Sequence, residues 1–200
     1  MKLKVPAEIE EIAEKLQKQG YSAYLVGGCI RDLLLKNEPK DWDITTDARA
    51  EEIQILFPES VYENDFGTVG VKTGSETPSL RIVEITTFRL EGRYTDKRHP
   101  DEIKFAKTVE EDLSRRDFTV NALAFDLNKE IIIDPFSGKE DLENKIIRAV
   151  GDPVTRFNED ALRLLRAVRF SAQLGFKVED NTAEALKRGA HLLEIVSNER

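Results

Sequence analysis

Asp41 and Asp43 stand one residue apart in Lys40-Asp41-Trp42-Asp43-Ile44. On an extended strand, residues i and i+2 face the same side. Two carboxylates side by side repel unless a cation joins them, and Mg²⁺ is held in this way by one or two carboxylates together with substrate phosphates. Alone, the pair is a weak signal and more often marks a solvated strand edge. A few residues upstream, Gly27-Gly28-Cys29-Ile30-Arg31-Asp32 falls where a short apolar run ends and a helix-like segment begins. Two glycines let the backbone approach a ligand, and the free N–H groups at a helix start favour phosphate. Arg31, one turn in, is within reach of a phosphate oxygen. A tight turn followed by a surface arginine would leave the same trace. Together the two motifs describe a phosphate cradle followed by a metal-holding strand.

The spacing of apolar residues predicts the elements that hold these groups. A helix spans Glu8–Gln19, with Ile9, Ile12, Ala13 and Leu16 on one stripe and Gly20 as its stop. Strands are expected at Tyr21–Val26, Trp42–Thr46, Val69–Lys72, Leu80–Phe88 and Ile103–Phe105, with helices at Cys29–Leu35, Ala50–Leu56 and Val109–Ala122. Arg89–Pro100 reads as a long polar loop interrupted by Gly92, and Ala124–Leu127 with Glu130–Ile133 as a hairpin followed by a turn at Asp134–Gly138. Beyond Gly151-Asp152-Pro153 no strand is expected: one helical stretch covers Thr155–Leu174 and ends at Gly175, and a second covers Thr182–Val196. The expected organisation is an α/β head over residues 1–148 and a helical segment over 149–200. The chain stops at Ser197-Asn198-Glu199-Arg200 without a closing element, as expected of a fragment of a longer protein.

Composition narrows the chemistry. Of 200 residues, 40% are hydrophobic and 34% charged, a balance that buries a core. The longest uncharged stretch, Gln19–Ile30, is far short of the ~20 apolar residues of a membrane span, so no membrane partner is expected. Two histidines and one cysteine cannot build a His/Cys zinc site, which leaves carboxylates and a hard ion. The single Cys29 forms no internal disulfide and fits a cytoplasmic protein. The net charge of −8 argues against a nonspecific nucleic-acid coat.

Two further segments carry polar groups at helical spacing. In Arg115-Arg116-Asp117-Phe118-Thr119-Val120-Asn121-Ala122, the residues Arg116, Asp117 and Asn121 offer a cation, an acceptor and an amide, with Asp117 and Asn121 expected as i,i+4 neighbours on one helix face. That pair is suited to telling a 2′-hydroxyl from a 2′-hydrogen. In Glu159-Asp160-Ala161-Leu162-Arg163-Leu164-Leu165-Arg166-Ala167-Val168-Arg169-Phe170, three arginines recur at i+3, and Asp160 stands three before Arg163, so their heads are expected side by side. A solvated polar helix face and a surface salt bridge are the plain alternatives.

Taken together, Tyr24–Leu34, Asp41–Ile44, Arg115–Ala122 and Glu159–Phe170 resemble the class II tRNA nucleotidyltransferases, the CCA-adding enzymes, which share the polymerase-beta-like nucleotidyltransferase superfamily with bacterial poly(A) polymerases. The resemblance implies an α+β head, a mixed β-sheet flanked by helices, followed by an all-α neck. It implies transfer of C and A from CTP and ATP to the 3′ end of tRNA, with Asp41 and Asp43 as the catalytic, metal-holding pair and two Mg²⁺ ions as cofactors. Nucleotide contacts carry over to Gly27, Gly28, Arg31, Arg116, Asp117, Asn121, Asp160, Arg163, Arg166 and Arg169. Cytosine and adenine both show an amino donor beside a ring-nitrogen acceptor, so a carboxylate (Asp160) beside a guanidinium (Arg163) accepts both and rejects uracil and guanine.

Glu84 is a candidate third acidic group, although a plain solvated glutamate is the simpler reading. Two departures from the family stand out: Lys36, where a glycine is usual, and Cys29, a small buried residue in place of alanine or valine. Ser197-x-Glu199-Arg200 resembles the start of a further neck motif. The family's CC-adding members lack a flexible loop that this chain keeps at Gly92–Pro100. An A-adding relative, a poly(A) polymerase and a non-catalytic nucleotide- or RNA-binding module remain alternatives. The family grips tRNA mainly through C-terminal domains beyond this segment.

Overall fold

The computed structural model describes residues 3–64, 67–90, 92 and 104–195. The chain opens with α1 (Ala7–Lys18), which buries Ile9, Ile12, Ala13 and Leu16 and carries Glu8 and Glu10 in its first turn and Lys15 and Lys18 in its last, as the helix dipole favours. Next come β1 (Ala23–Val26), α2 (Gly28–Leu34), β2 (Asp43–Thr46), α3 (Ala50–Leu56), β3 (Ser60–Asn64), β4 (Thr68–Lys72) and β5 (Ile82–Thr87). A short pair, β6 (Arg89–Leu90) and β7 (Lys104–Phe105), precedes α4 (Val109–Ser114), β8 (Ala124–Asp126), β9 (Ile131–Ile133), α5 (Gly138–Glu143) and β10 (Ile146–Ile147). The remainder is α6 (Pro153–Glu159), α7 (Leu162–Leu174), β11 (Lys177–Val178), α8 (Asp180–Gly189) and a 3-10 turn at Ala190–Ile195. Among the described residues no helix is long and apolar enough to cross a membrane.

Seven strands form one mixed sheet in the order β3-β4-β5-β2-β1-β8-β9. Only β2 and β5 run parallel; every other neighbouring pair is antiparallel. Alternation along the strands divides the two faces. Leu25, Ile44, Ile85 and Phe125 point to one side and join the main core with α1 and α3. Val26 and Ala124 point to the other, where a second cluster formed with Phe88, Val109, Leu113 and Val150 seats α4 on the sheet. On that second face Asp43 and Glu84 lie directly opposite each other across β2 and β5. The functional face is therefore half covered, by α4, and half open beside the acidic strands.

The segment expected as one helix over Val109–Ala122 is instead α4 and a 3-10 turn at Thr119–Asn121, joined by an extended stretch. The backbone between them has other partners. The Asp117 carboxylate accepts the Phe118 N–H at 2.8 Å, Val150 N–H donates to the Asp117 carbonyl at 3.0 Å, and Phe118 bridges Ala149 with its ring fully buried. The stretch expected as one helix over Thr155–Leu174 breaks likewise at Asp160, which is extended (φ −140°, ψ 108°) and accepts the Leu162 N–H at 2.9 Å at the entry to α7. The expected Thr182–Val196 helix begins two residues earlier and tightens to a 3-10 turn after Gly189. The edge strand β3 was not anticipated: Val61 is 53% exposed, and an edge with one wet face lacks an apolar run.

The helical segment after Gly151 holds one short strand, β11, which pairs in parallel with β10. Lys177 N–H donates to the Lys145 carbonyl and Glu179 N–H to the Ile147 carbonyl, both at 2.9 Å. Phe170 of α7 meets Phe118 edge-on, with centroids 5.9 Å apart. These contacts place α7 on the side of the cleft that faces the open part of the sheet. The expected Arg89–Pro100 loop opens with β6, paired to β7. Its residues 91 and 93–100, Ile103 of the strand expected at Ile103–Phe105, and the Ser197–Arg200 motif lie outside the described residues. Lys36, which stands where the family usually has a glycine, takes a left-handed conformation (φ 62°) of the kind glycine adopts readily.

Gly138 shows how tightly the site's support is packed. A β-carbon there would lie 2.1 Å from the Thr119 carbonyl oxygen, in the turn that carries Asn121. That neighbour is backbone and cannot swing away. Gly138→Ala is expected to lower unfolding free energy by about 1–3 kcal/mol, measured by urea denaturation; an unchanged midpoint would mean that α5 does not press on this turn.

Candidate active site

A cleft of about 690 Å³ opens on the uncovered part of the sheet, between β2 and β5 on one side and α2, the Arg115–Asn121 segment and α7 on the other. All twelve residues singled out from the sequence line it: Gly27, Gly28, Arg31, Asp41, Asp43, Arg116, Asp117, Asn121, Asp160, Arg163, Arg166 and Arg169. Glu84, Thr68, Thr86, Arg89, Arg115 and Phe170 line it as well.

Its acidic wall belongs to the sheet. Asp43 opens β2, and Asp41 sits at the bend just before it, so the pair is only half on the strand. The buried Trp42 between them points inward, and its carbonyl accepts the Glu84 N–H at 3.1 Å, which carries the alternation to Asp41. Burial raises the Asp43 carboxyl to about 6; Arg116 opposes the shift, and Glu84 and Asp41 add to it. Among the described residues no ion pair reaches the side chain of Asp41 or Asp43. Glu84 is exposed, as the simpler reading had it, yet it faces Asp43 across the strand pair and adds charge to this wall.

Among the described residues no three His, Cys, Asp or Glu side chains converge closely enough to hold a metal by themselves. Two carboxylates, one half-buried and pushed toward protonation by burial, nevertheless fit a divalent ion whose other ligands are water and substrate phosphate.

The opposite wall is cationic. Gly27 has φ 74° and lies beneath Arg116: a β-carbon there would stand 2.8 Å from Arg116 Nη1, so only glycine fits. Arg116 Nε is buried without a hydrogen-bond partner. Arg31 donates to Asn121 Oδ1 at 2.8 Å and pairs with Asp32 at 2.8 Å, which spends donors that the sequence had assigned to phosphate. Asn121 Nδ2 in turn donates to Asp117 Oδ1 at 3.3 Å, so these two residues do meet, through the extended turn and not along a helix face. Arg166 Nε donates to Asp117 Oδ2 at 2.6 Å. The Phe170 ring lies under Arg31, Arg166 and Arg169, whose guanidinium carbons stand 5.4, 5.1 and 5.7 Å from its centroid.

Asp160 and Arg163 both face the cleft, but their heads do not pair as expected. Arg163 is 8% exposed and donates to Glu159 Oε2 at 2.6 Å and to the carbonyls of Arg156 and Arg115. The helix break explains the exchange. Glu159 closes α6 and lies four residues before Arg163, whereas Asp160 is the extended residue between the two helices. Burial raises the Asp160 carboxyl, against the pull of the Leu162 N–H, Arg163 and Arg166.

Sequence reasoning missed Asp112, Arg115, Arg89, Phe170 and the threonine pair as site-forming groups. Arg115 and Phe170 stood inside recognised motifs; Asp112 stands three and four residues before Arg115 and Arg116, a helical spacing that could have found it, whereas Thr68 and Thr86 are brought to the cleft only by the fold. Cys29 is inert: burial pushes its thiol up to about 12, and it donates to the Val26 carbonyl at 3.1 Å.

Residues 23–148 match the family described as the Poly A polymerase head domain. Over 190 residues the chain is 50% identical to the CCA-adding enzyme of Lactobacillus helveticus (strain DPC 4571), covering 94% of this chain and 46% of that protein. It is 47% identical over 205 residues to the CCA-adding enzyme of Lactococcus lactis subsp. cremoris (strain MG1363), covering 100% and 50%. Among solved structures it is similar to the Bacillus stearothermophilus CCA-adding enzyme in complex with CTP, with a TM-score of 0.85 and 39% identity over 96% of this chain and 46% of that one. It is also similar to a tRNA nucleotidyltransferase complexed with a primer tRNA and an incoming ATP analog, with a TM-score of 0.73 and 34% identity over 90% and 50%. The chain spans about half the length of the curated relatives it matches.

The raised Asp43 carboxyl sets a pH-dependent stability difference. A carboxyl raised on folding favours the folded state while protonated, and that contribution is lost as pH rises through about 6. Asp43→Asn is therefore expected to stabilise the metal-free protein at pH 7.5 by up to about 3 kcal/mol, with the gain shrinking toward zero as pH falls to about 4. Paired denaturant melts across that range check it; a gain that grows on acidification would contradict the burial argument.

Proposed function

The chain belongs to the Poly A polymerase head-domain family, and on that premise we propose that it forms the catalytic head, residues 1–148, and part of the neck, residues 149–200, of an enzyme that adds C and A from CTP and ATP to the 3′ end of tRNA, releasing pyrophosphate. The carrying observation is the cleft itself: Asp41 and Asp43, which no ion pair reaches among the described residues, face a wall of guanidinium groups. The relatives at 50% and 47% identity are CCA-adding enzymes, which supports this choice within the family. We assign the activity to the cytoplasm, where its substrates are.

Asp41 and Asp43 would hold Mg²⁺, as two ions, which when bound lowers the pKa of the attacking 3′-hydroxyl and neutralises charge on the triphosphate and leaving group. The chain's own residues do the positioning. Gly27 and Gly28 let the triphosphate approach the start of α2, and Arg116, above Gly27, offers it donors. Asp117 and Asn121, tied to each other and to Arg166 and Arg31, present a fixed acceptor and amide to the sugar. Asp160 accepts from the amino group that cytosine and adenine share, and Arg163, turned from Glu159, donates to the adjacent ring nitrogen. Arg166 and Arg169, lying against Phe170, orient that pair or meet phosphate.

The test uses the full-length protein with tRNAs ending before the first C, the second C and the terminal A, each with one nucleoside triphosphate at a time. Stepwise C, C and A addition is expected. Addition of A alone would favour an A-adding enzyme or poly(A) polymerase, and nucleotide binding without addition would favour a non-catalytic module. Asp41→Ala and Asp43→Ala are expected to reduce addition to background with the fold retained by circular dichroism; wild-type rates in either variant would remove the catalytic assignment. Asp160→Asn, whose amide presents either a donor or an acceptor, is expected to take UTP or GTP at rates comparable with CTP and ATP, with turnover reduced. Unchanged preference for C and A would mean that the base is read elsewhere.

A further inference from the structure

Asp112 lies on α4, outside every motif recognised in the sequence, and its side chain is fully buried. Its Oδ1 accepts from the Arg89 N–H at 3.1 Å and from Arg115 Nε and Nη2 at 3.0 and 2.8 Å. Its Oδ2 accepts from Arg116 Nη2 at 3.3 Å. One buried carboxylate thus gathers two cleft guanidinium groups and the backbone at the start of β6. A buried charge is tolerated only when paired and hydrogen-bonded in this way. Burial alone would raise its carboxyl, but Arg115, Arg116 and the Arg89 N–H hold it below the ordinary range, so it is present as the anion.

Arg116 is the key partner. Its charge is also felt by Asp43, its Nη1 lies over Gly27, and its only charged partner among the described residues is Asp112. Without a competing anion, the guanidinium is drawn toward Asp43, where an ion pair would occupy both the metal-holding carboxylate and the space above the glycines. Arg115 adds a second link, because its carbonyl accepts from Arg163 Nη2 at 3.1 Å.

We propose that Asp112 is a positioning residue for nucleotide binding: it holds Arg115 and Arg116 on the cationic wall, away from Asp43, so that their remaining donors meet the incoming triphosphate. The inference rests on the nucleotidyl-transfer reading above. It concerns nucleotide affinity and not the primer, since nothing of Asp112 reaches the cleft directly.

The test is calorimetric titration of CTP, with Mg²⁺, into the full-length protein and its Asp112→Asn variant, with steady-state KM values for CTP and for tRNA measured beside it. Asn keeps the shape but removes the charge that holds the two arginines. CTP affinity is expected to fall about tenfold, the KM for CTP to rise in step, and the KM for tRNA to stay unchanged. Leu113→Ala, an equally buried change on the same helix, is the control for damage to α4: it is expected to lower thermal stability without moving CTP affinity.

CTP affinity in Asp112→Asn equal to wild type overturns the proposal, and so does an equal loss in Leu113→Ala. If Asp112→Asn does not fold, Asp112→Glu decides: a retained charge displaced by one methylene is expected to weaken CTP binding several-fold, and unchanged affinity overturns the proposal. A wild-type protein that binds CTP but adds none to RNA would sink the nucleotidyl-transfer reading, while the affinity comparison still decides the role of Asp112.

Discussion

Opposite charges face each other across a narrow cleft and must not neutralise one another. Arg116 is close enough to influence the Asp43 carboxyl, yet the described ion pairs of the cationic wall run to Asp32, Asp112, Asp117 and Glu159. Each of these anions is buried or half-buried and takes a guanidinium at 2.6–3.3 Å. Asp41 and Asp43 are left without an ion pair among the described residues, their repulsion only partly offset by Arg116, and a metal–triphosphate complex would relieve the rest. Charge-assisted hydrogen bonds are among the stronger polar interactions in proteins, so the separation is enforced by geometry rather than by distance alone.

The fold supplies that geometry from simple parts. Strand alternation sends Ile44 and Ile85 into the core and leaves Asp43 and Glu84 on the open face. The second apolar cluster seats α4 over half of that face, bringing Asp112 beside the cleft. The β10–β11 pairing and the Phe118–Phe170 contact hold α7 across the cleft from the other half, with Arg163, Arg166 and Arg169 on its lining.

The sequence revealed the site's membership better than its wiring. The Asp41/Asp43 spacing, the glycine pair and the arginine repeat each follow a period that local structure imposes, and all reach the same cleft. Helical periodicity misled wherever a side chain captured its own backbone: Asp117 binds the Phe118 N–H and Asp160 the Leu162 N–H, and both break an expected helix. That second break moved Arg163 from Asp160 to Glu159. Asp112 was passed over although it stands three and four residues before Arg115 and Arg116, a spacing that pairs side chains on a helix; only its bond to the Arg89 N–H depends on the fold.

The claim that the acidic strand is held free for a cation is tested most directly by titrating Mn²⁺, followed by electron paramagnetic resonance, into the full-length protein with CTP at pH 7.5. The wild-type protein is expected to bind Mn²⁺ tightly only when nucleotide is present, with an affinity that begins to weaken as pH falls below about 6, the value to which burial raises the metal-free Asp43 carboxyl, and to bind it weakly at every pH in Asp43→Asn. Wild-type Mn²⁺ affinity in Asp43→Asn would contradict the account.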